Sequence, residues 1–318
     1  MNKRVVITGA FSYTGAAVAC ELLRRGYEIH TLTNRQPFSP SKISFAPLRF
    51  EFEHLKKELC RADVFINTYW VRFPYSRQSF TTAVANSKML IDAAIAAGVK
   101  RIIQISVSNA QDGMNLGYYA GKAKVDDYVH RCPIPFAIVR PTLVVGEADV
   151  LTNNIVWLLR HFPIFLIPGN AEYRLQPITL HDTACIISEM VEDQSCKEID
   201  AAGPDIMSFR DYVRLVARAC HLKRPIISVP EGFALGFLQL IQPLLRDIIL
   251  TREELLGLKQ ELLISHKAPL GKESIADWLK LHGNRLGYRY VNDIKRHFGQ
   301  DKSQAVYSID EFGRFSPT

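Results

Sequence analysis

The sequence predicts an α/β protein built on a doubly wound parallel sheet, followed by a smaller, mostly helical C-terminal region. Three observations predict it. A β-branched run, Arg4-Val-Val-Ile-Thr8, passes through Gly9 and Gly15 into helical spacing over Ala16–Arg25. Strand-like apolar runs and helical stretches then alternate as far as Gly146. Several of those runs end in small polar residues, as strands do when their carboxyl ends face a ligand crevice.

The first unit, strand then glycine turn then helix, brings backbone N–H groups and a positive helix end to one place. That arrangement suits a pyrophosphate. Gly26-Tyr27 makes a turn, and Glu28–Thr33 reads as a second strand ending at Asn34-Arg35. In a dinucleotide fold this end reads the adenosine ribose: an acid takes its two hydroxyls, whereas an arginine favours a 2′-phosphate. No acid is present, so Arg35 points to NADP(H), with NAD(H) as the alternative and an exposed loop arginine as the competing reading. Leu48–Phe52 suggests a short third strand and His54–Arg61 a helix. Ala62–Thr68 resembles a buried parallel strand, so Asn67, Thr68, Tyr69 and Trp70 approach the cofactor. Phe80–Ala97 is a long helix with Asn86 inside it.

Val99–Ser106 forms the next strand, closing in Ser106, Ser108 and Asn109. Gly117–Val129 opens a helix in which Tyr118 and Lys122 share one face. Phe136–Val139 is a strand ending at Arg140-Pro141-Thr142. Beyond Gly146, helices are expected over Ile155–His161, from Asp182 (as N-cap) to Glu192, and over Phe209–Cys220. Phe233–Leu263 reads as two helices joined near Thr251, where Glu254 completes a capping box. Short helices follow at Ile275–Leu281 and Val291–Phe298. The expected division is a nucleotide-binding domain over 1–146 and a substrate-binding region over 147–318, with segments near 174–202 returning to the first sheet.

Ser108, Tyr118 and Lys122 together make a proton-transfer site. A phenol has an ordinary pKa of about 10 and is a poor acid–base near neutrality. A lysine ammonium one helical turn away favours the phenolate, and a nearby serine hydroxyl holds a substrate oxygen.

With these motifs in order, the chain resembles the short-chain dehydrogenase/reductase superfamily, in its extended or atypical branch of NAD(P)-dependent epimerase-like and NmrA-like proteins. Thr8-Gly9 through Gly15 matches the Thr-Gly-x-x-Gly-x-x-Gly loop except at Ser12, and Tyr118–Lys122 matches Tyr-x-x-x-Lys. Arg140–Gly146 looks like the family's Arg-Pro-x-x-x-x-Gly segment, and Gln176–Asp182 like the later segment of the extended branch. The resemblance implies a Rossmann-like fold. It implies Ser108, Tyr118 and Lys122 as catalytic residues. It implies a cofactor held by Thr8, Gly9, Ser12, Tyr13, Thr14, Gly15, Asn34, Arg35, Asn67, Thr68, Tyr69, Lys122, Pro141 and Thr142. Substrate contacts are expected from Trp70, Asn153, Asn154, Arg174 and Gln176. The expected activity is NADP(H)-dependent oxidation or reduction of a small carbonyl, alcohol or activated double bond. The alternatives are a cofactor-binding regulator or accessory subunit without turnover, and a sugar-nucleotide epimerase or dehydratase. The short Ser108–Tyr118 segment disfavours the epimerase.

Composition narrows the partners. The net charge of +7 is spread along the chain without a basic block, which argues against nucleic acid. The six cysteines lie far apart with no C-x-x-C pair, so neither a disulfide frame nor a metal site is expected. Ile155–Pro168 and Phe233–Leu250 are too short or too interrupted to span a membrane. The first residues enter a strand directly, so no signal peptide is expected. The expectation is a cytoplasmic monomer or homodimer with a small-molecule substrate.

Overall fold

A computed structural model describes residues 3–37, 42–298, 307–309 and 315–317. The chain begins with β1 (Arg4–Thr8), α1 (Tyr13–Arg24), β2 (Glu28–Leu32), β3 (Ser44–Ala46), α2 (Phe52–Leu59), β4 (Val64–Asn67), α3 (Phe80–Ala96), β5 (Arg101–Ile105), α4 (Gly117–Val129) and β6 (Phe136–Pro141). It continues through β7 (Leu143–Val145), α5 (Val150–His161), β8 (Phe165–Pro168), β9 (Arg174–Leu175), β10 (Pro177–Thr179), α6 (Leu180–Glu189), β11 (Lys197–Ala201) and β12 (Met207–Ser208). It ends with α7 (Phe209–Ala219), β13 (Ile226–Val229), α8 (Glu231–Leu245), α9 (Arg252–Lys259), α10 (Ile275–His282), α11 (Asp293–Phe298), β14 (Tyr307–Ile309) and β15 (Phe315–Pro317).

The main sheet has seven strands in the order β11-β6-β5-β4-β1-β2-β3, each pair parallel. Parallel strands are covered by helices on both faces, which is why β4 and β5 are buried at every residue, including the polar Asn67, Arg101 and Gln104. Chain order reverses between β1 and β4, so the crevice of this fold opens at the carboxyl ends of those two strands. A core of Val6, Leu55, Phe65, Ile91, Ile102, Val125 and Ile138 packs helices against the sheet.

The chain divides into two compact units. One comprises Met1–Pro141 and Thr183–Ala201 with the β14–β15 hairpin; the other comprises Thr142–Asp182 and Ala202–Lys302. The second has its own core, with Val156, Leu159, Ile167, Tyr212, Val216, Trp278 and Leu279 at its centre. Its strands pair two by two: β7 with β10, β8 with β13, and β9 with β12.

The structure moves two expected elements. The third strand lies at Ser44–Ala46, beside His30–Leu32, and not at Leu48–Phe52. The Asn34 side chain satisfies both backbone groups of Leu48, donating to its oxygen at 3.1 Å and accepting from its nitrogen at 3.0 Å, so that segment needs no ladder. Asp182 lies inside α6 rather than capping it, and its carboxylate accepts from the backbone N–H groups of Lys272 and Glu273 at 2.6 and 2.8 Å. The capping box of Thr251 and Glu254 is present at the start of α9. Among the described residues no helix is long and apolar enough to cross a membrane.

Candidate functional site

The turn after β1 is tight because glycine is needed at both ends. Gly9 has a φ of +70°, and its N–H donates to the Leu32 carbonyl at 2.9 Å. A Cβ on Gly15 would collide with the Gly9 carbonyl, so the helix approaches the turn more closely than any other residue permits. The first helical bond of α1 runs from Ala16 N to Ser12 O, which leaves the N–H groups of Tyr13, Thr14 and Gly15 at the positive end of the helix. No acidic residue occupies that first turn. Ser12, at the one position where the turn departs from the glycine motif it resembles, folds its hydroxyl back to donate to Gly9 O at 2.5 Å. This cradle fits a pyrophosphate.

Beside the turn, the strand ends are tied by a polar ladder. Thr8 Oγ1 accepts from the backbone of Thr68 and Tyr69 at 2.8 and 3.1 Å and donates to Asn67 Oδ1 at 3.3 Å. Asn67 Nδ2 reaches Gln104 Oε1 at 2.8 Å, linking β1, β4 and β5 through buried groups. Asn86 has its reason here: its amide donates to the Tyr69 hydroxyl at 3.0 Å. Burial raises the Tyr69 pKa, with the bond from Asn86 opposing it. Arg35 is half-buried after β2, its backbone N–H held by Thr33 Oγ1 at 3.1 Å. Pro141 closes β6 and its carbonyl accepts from Ser108 N at 3.0 Å, while Thr142 is buried in the other unit.

Tyr118 is half-buried in the first turn of α4, edge-on to Trp70 and Phe80 at centroid distances of 6.1 Å each. Lys122 lies one turn later and is only 3% exposed. Its Nζ donates to the Ile105 carbonyl at 2.8 Å and stands 4.6 Å from the centroid of the Trp70 ring. Burial pushes the Lys122 pKa down to about 7, with Asp126 acting in the other direction. Ser108 is wholly buried. The structure therefore brings Tyr118, Lys122 and Trp70 together and sets Ser108 inside.

One participant escaped the sequence reading. Asp126 is wholly buried on α4, one turn beyond Lys122. Its Oδ2 accepts from Ser106 Oγ at 2.8 Å and Arg140 Nε at 3.1 Å. Arg140 also pairs with Glu198, and Glu198 with His130. Burial raises the Asp126 pKa, opposed by Arg140 and Ser106. The signal was available: Lys122 and Asp126 repeat the four-residue spacing of Tyr118 and Lys122.

The remaining expected substrate residues lie in the other unit, and their polar groups bind protein. Asn153 Nδ2 donates to the carbonyls of Glu147 and Asp149 at 3.0 and 2.9 Å, and its oxygen accepts from Gly287 N at 3.2 Å. Asn154 pairs with both backbone groups of Val291. Gln176 donates to Gly203 O at 2.7 Å and accepts from Ser265 N at 2.9 Å. Arg174 makes a two-pronged pair with Glu261 at 3.0 and 2.7 Å. Among the described residues no cluster of side chains could hold a metal ion.

The profile of the NmrA-like family matches residues 1–199. The chain belongs to the NmrA-like family. It thereby joins the atypical short-chain dehydrogenase/reductase proteins with an NAD(P)-binding Rossmann domain. A curated relative, subunit 9 of the NADH dehydrogenase (ubiquinone) 1 alpha subcomplex from Arabidopsis thaliana mitochondria, is 21% identical over 289 residues. That match covers 82% of this chain and 71% of the relative. Among solved structures, triphenylmethane reductase from Citrobacter sp. superposes with a TM-score of 0.70 at 14% identity, covering 89% of this chain and all of that one. The enzyme WbmH of Bordetella bronchiseptica, solved in complex with NAD+, gives a TM-score of 0.62 at 16% identity, over 83% of this chain and 97% of that one. At those identities the likeness is one of fold.

Proposed function

We propose that this NmrA-like protein is an NADP(H)-dependent oxidoreductase acting on a small carbonyl, alcohol or activated double bond. The observation that carries the reading is the position of Tyr118 and Lys122 one turn apart on α4, with Lys122 bonded to the last residue of β5. That strand ends on the same sheet edge from which β1 delivers the glycine turn. The backbone from Gly9 to Gly15 and the α1 terminus would hold the pyrophosphate, and Arg35 the 2′-phosphate. Once bound, the cofactor supplies or accepts a hydride. Tyr118 gives or takes the proton at the substrate oxygen, and a charged Lys122 favours its phenolate. Ser108, whose backbone N–H bonds the Pro141 carbonyl, would hold the substrate oxygen.

A second reading is a cofactor-binding accessory protein or regulator without turnover, favoured by the indole of Trp70 lying over Lys122 and by the likeness to a subunit of the mitochondrial NADH dehydrogenase (ubiquinone) 1 alpha subcomplex. A thermal-shift titration with NADPH and NADH, followed by cofactor-absorbance assays on aldehydes, quinones and enals, separates the two. Stabilisation by NADPH together with Tyr118-dependent turnover supports the oxidoreductase. Stabilisation without turnover on any of them supports the second reading, and no stabilisation by either cofactor overturns both.

A further inference from the structure

Trp70 follows the end of β4 and lays its ring on α4. A Cβ built on Gly121 would meet the indole at 2.9 and 3.0 Å, so the ring rests directly on the helix backbone. Lys122 Nζ faces the same ring, 4.6 Å from its centroid, and donates to the Ile105 carbonyl. The indole Nε1 is buried with no hydrogen-bond partner among the described residues, a cost that this position carries. The backbone on both sides is held. Tyr69 is tied by its N–H to Thr8 and by its hydroxyl to Asn86, while Val71 and Phe73 are buried. With the neighbouring backbone held, the side-chain torsions of Trp70 are the freedom left for displacing the indole.

We propose that Trp70 is a gate over Lys122, closed without cofactor and displaced when the nicotinamide end of NADP(H) enters. On opening, Lys122 exchanges the indole and the Ile105 carbonyl for ribose hydroxyls. This deepens the oxidoreductase reading and rests on it. A gate that is mostly closed weakens apparent cofactor affinity by the fraction of molecules that are open, so removing the indole tightens binding.

The test uses the full chain as wild type, Trp70→Leu and Trp70→Phe, with melting curves to establish folding. Two quantities are read: NADPH affinity by thermal shift, and the rate at which acetic anhydride acetylates Lys122 without cofactor, by peptide mass spectrometry. For Trp70→Leu the expected result is acetylation and NADPH binding each improved about tenfold, with Trp70→Phe between it and wild type. Unchanged acetylation overturns the gate, as does faster acetylation with unchanged NADPH affinity, and both leave the cofactor reading intact. Failure of wild type and variants to bind either NADPH or NADH overturns the cofactor reading itself. Should Trp70→Leu not fold, a Trp157→Phe/Trp278→Phe protein reports Trp70 alone. Its emission shifts as NADPH is added if the gate opens, and emission unchanged at saturating NADPH overturns the proposal.

Discussion

Ser12 Oγ donates to the Gly9 carbonyl at 2.5 Å, so the side chain that replaces a glycine in the dinucleotide turn is folded back into the turn itself. Its Oγ lies 2.9 Å from where a Gly9 Cβ would stand, in space that only glycine at position 9 leaves open. The two residues fit each other, and the Ser12 hydroxyl is turned into the loop. Replacing Ser12 by glycine is therefore expected to change NADPH affinity by less than about threefold, the scale of one modest hydrogen bond. Gly15→Ala forces a methyl group into the Gly9 carbonyl. It should abolish measurable NADPH stabilisation and cost about 3 kcal/mol of folding stability. A Gly15→Ala protein that melts and binds NADPH like wild type would remove this turn as the pyrophosphate site.

Tyr118→Phe keeps the aromatic edge contacts with Trp70 and Phe80 and deletes only the hydroxyl. With the proton donor gone, turnover should fall about 10²–10⁴-fold while the NADPH-binding midpoint stays put. Single-turnover cofactor oxidation beside a binding titration gives both numbers. Equal turnover in the two proteins would rule out Tyr118 as the acid–base.

Much of the first unit was legible because its physics is local. Parallel strands covered on both faces leave apolar runs, and the close approach of α1 to β1 leaves glycines at positions 9 and 15. What escaped depends on distant partners. Asn153 and Asn154 look like ligand-binding amides until Gly287 and Val291, 134 and 137 residues away, are seen to use them. The position of Trp70 over Lys122 follows from packing at Gly121, which no periodicity announces. The three residues of β3 are too few to carry a pattern, so the strand was expected beyond its true place.

Gln176 tests that distinction between binding protein and binding substrate. Its amide joins Gly203 O to Ser265 N in a buried setting, and alanine would remove both of these bonds. Gln176→Ala should lose about 1–3 kcal/mol in urea denaturation with KM unchanged once activity is normalised to folded protein. A raised KM at unchanged stability would return Gln176 to the substrate.

Lys122 makes stability depend on pH in a direction its burial fixes. In the unfolded chain a lysine titrates at about 10.4, whereas in the folded protein burial brings Lys122 to about 7. Between those values the unfolded chain holds a proton that the folded protein has released, so stability rises with pH across the window. The contribution is complete above the unfolded value and lost as pH falls through about 7. Lys122→Met removes the titration. Its stability advantage over wild type should be greatest near neutrality and should shrink by on the order of a few kcal/mol towards pH 10. Urea midpoints of both proteins at several pH values between neutrality and pH 10 measure the difference, which also cancels the ionisation of other groups. A constant difference would mean that Lys122 is solvated in solution. The same titration bears on catalysis: if the ammonium is what favours the Tyr118 phenolate, turnover limited by that step declines as Lys122 loses its proton.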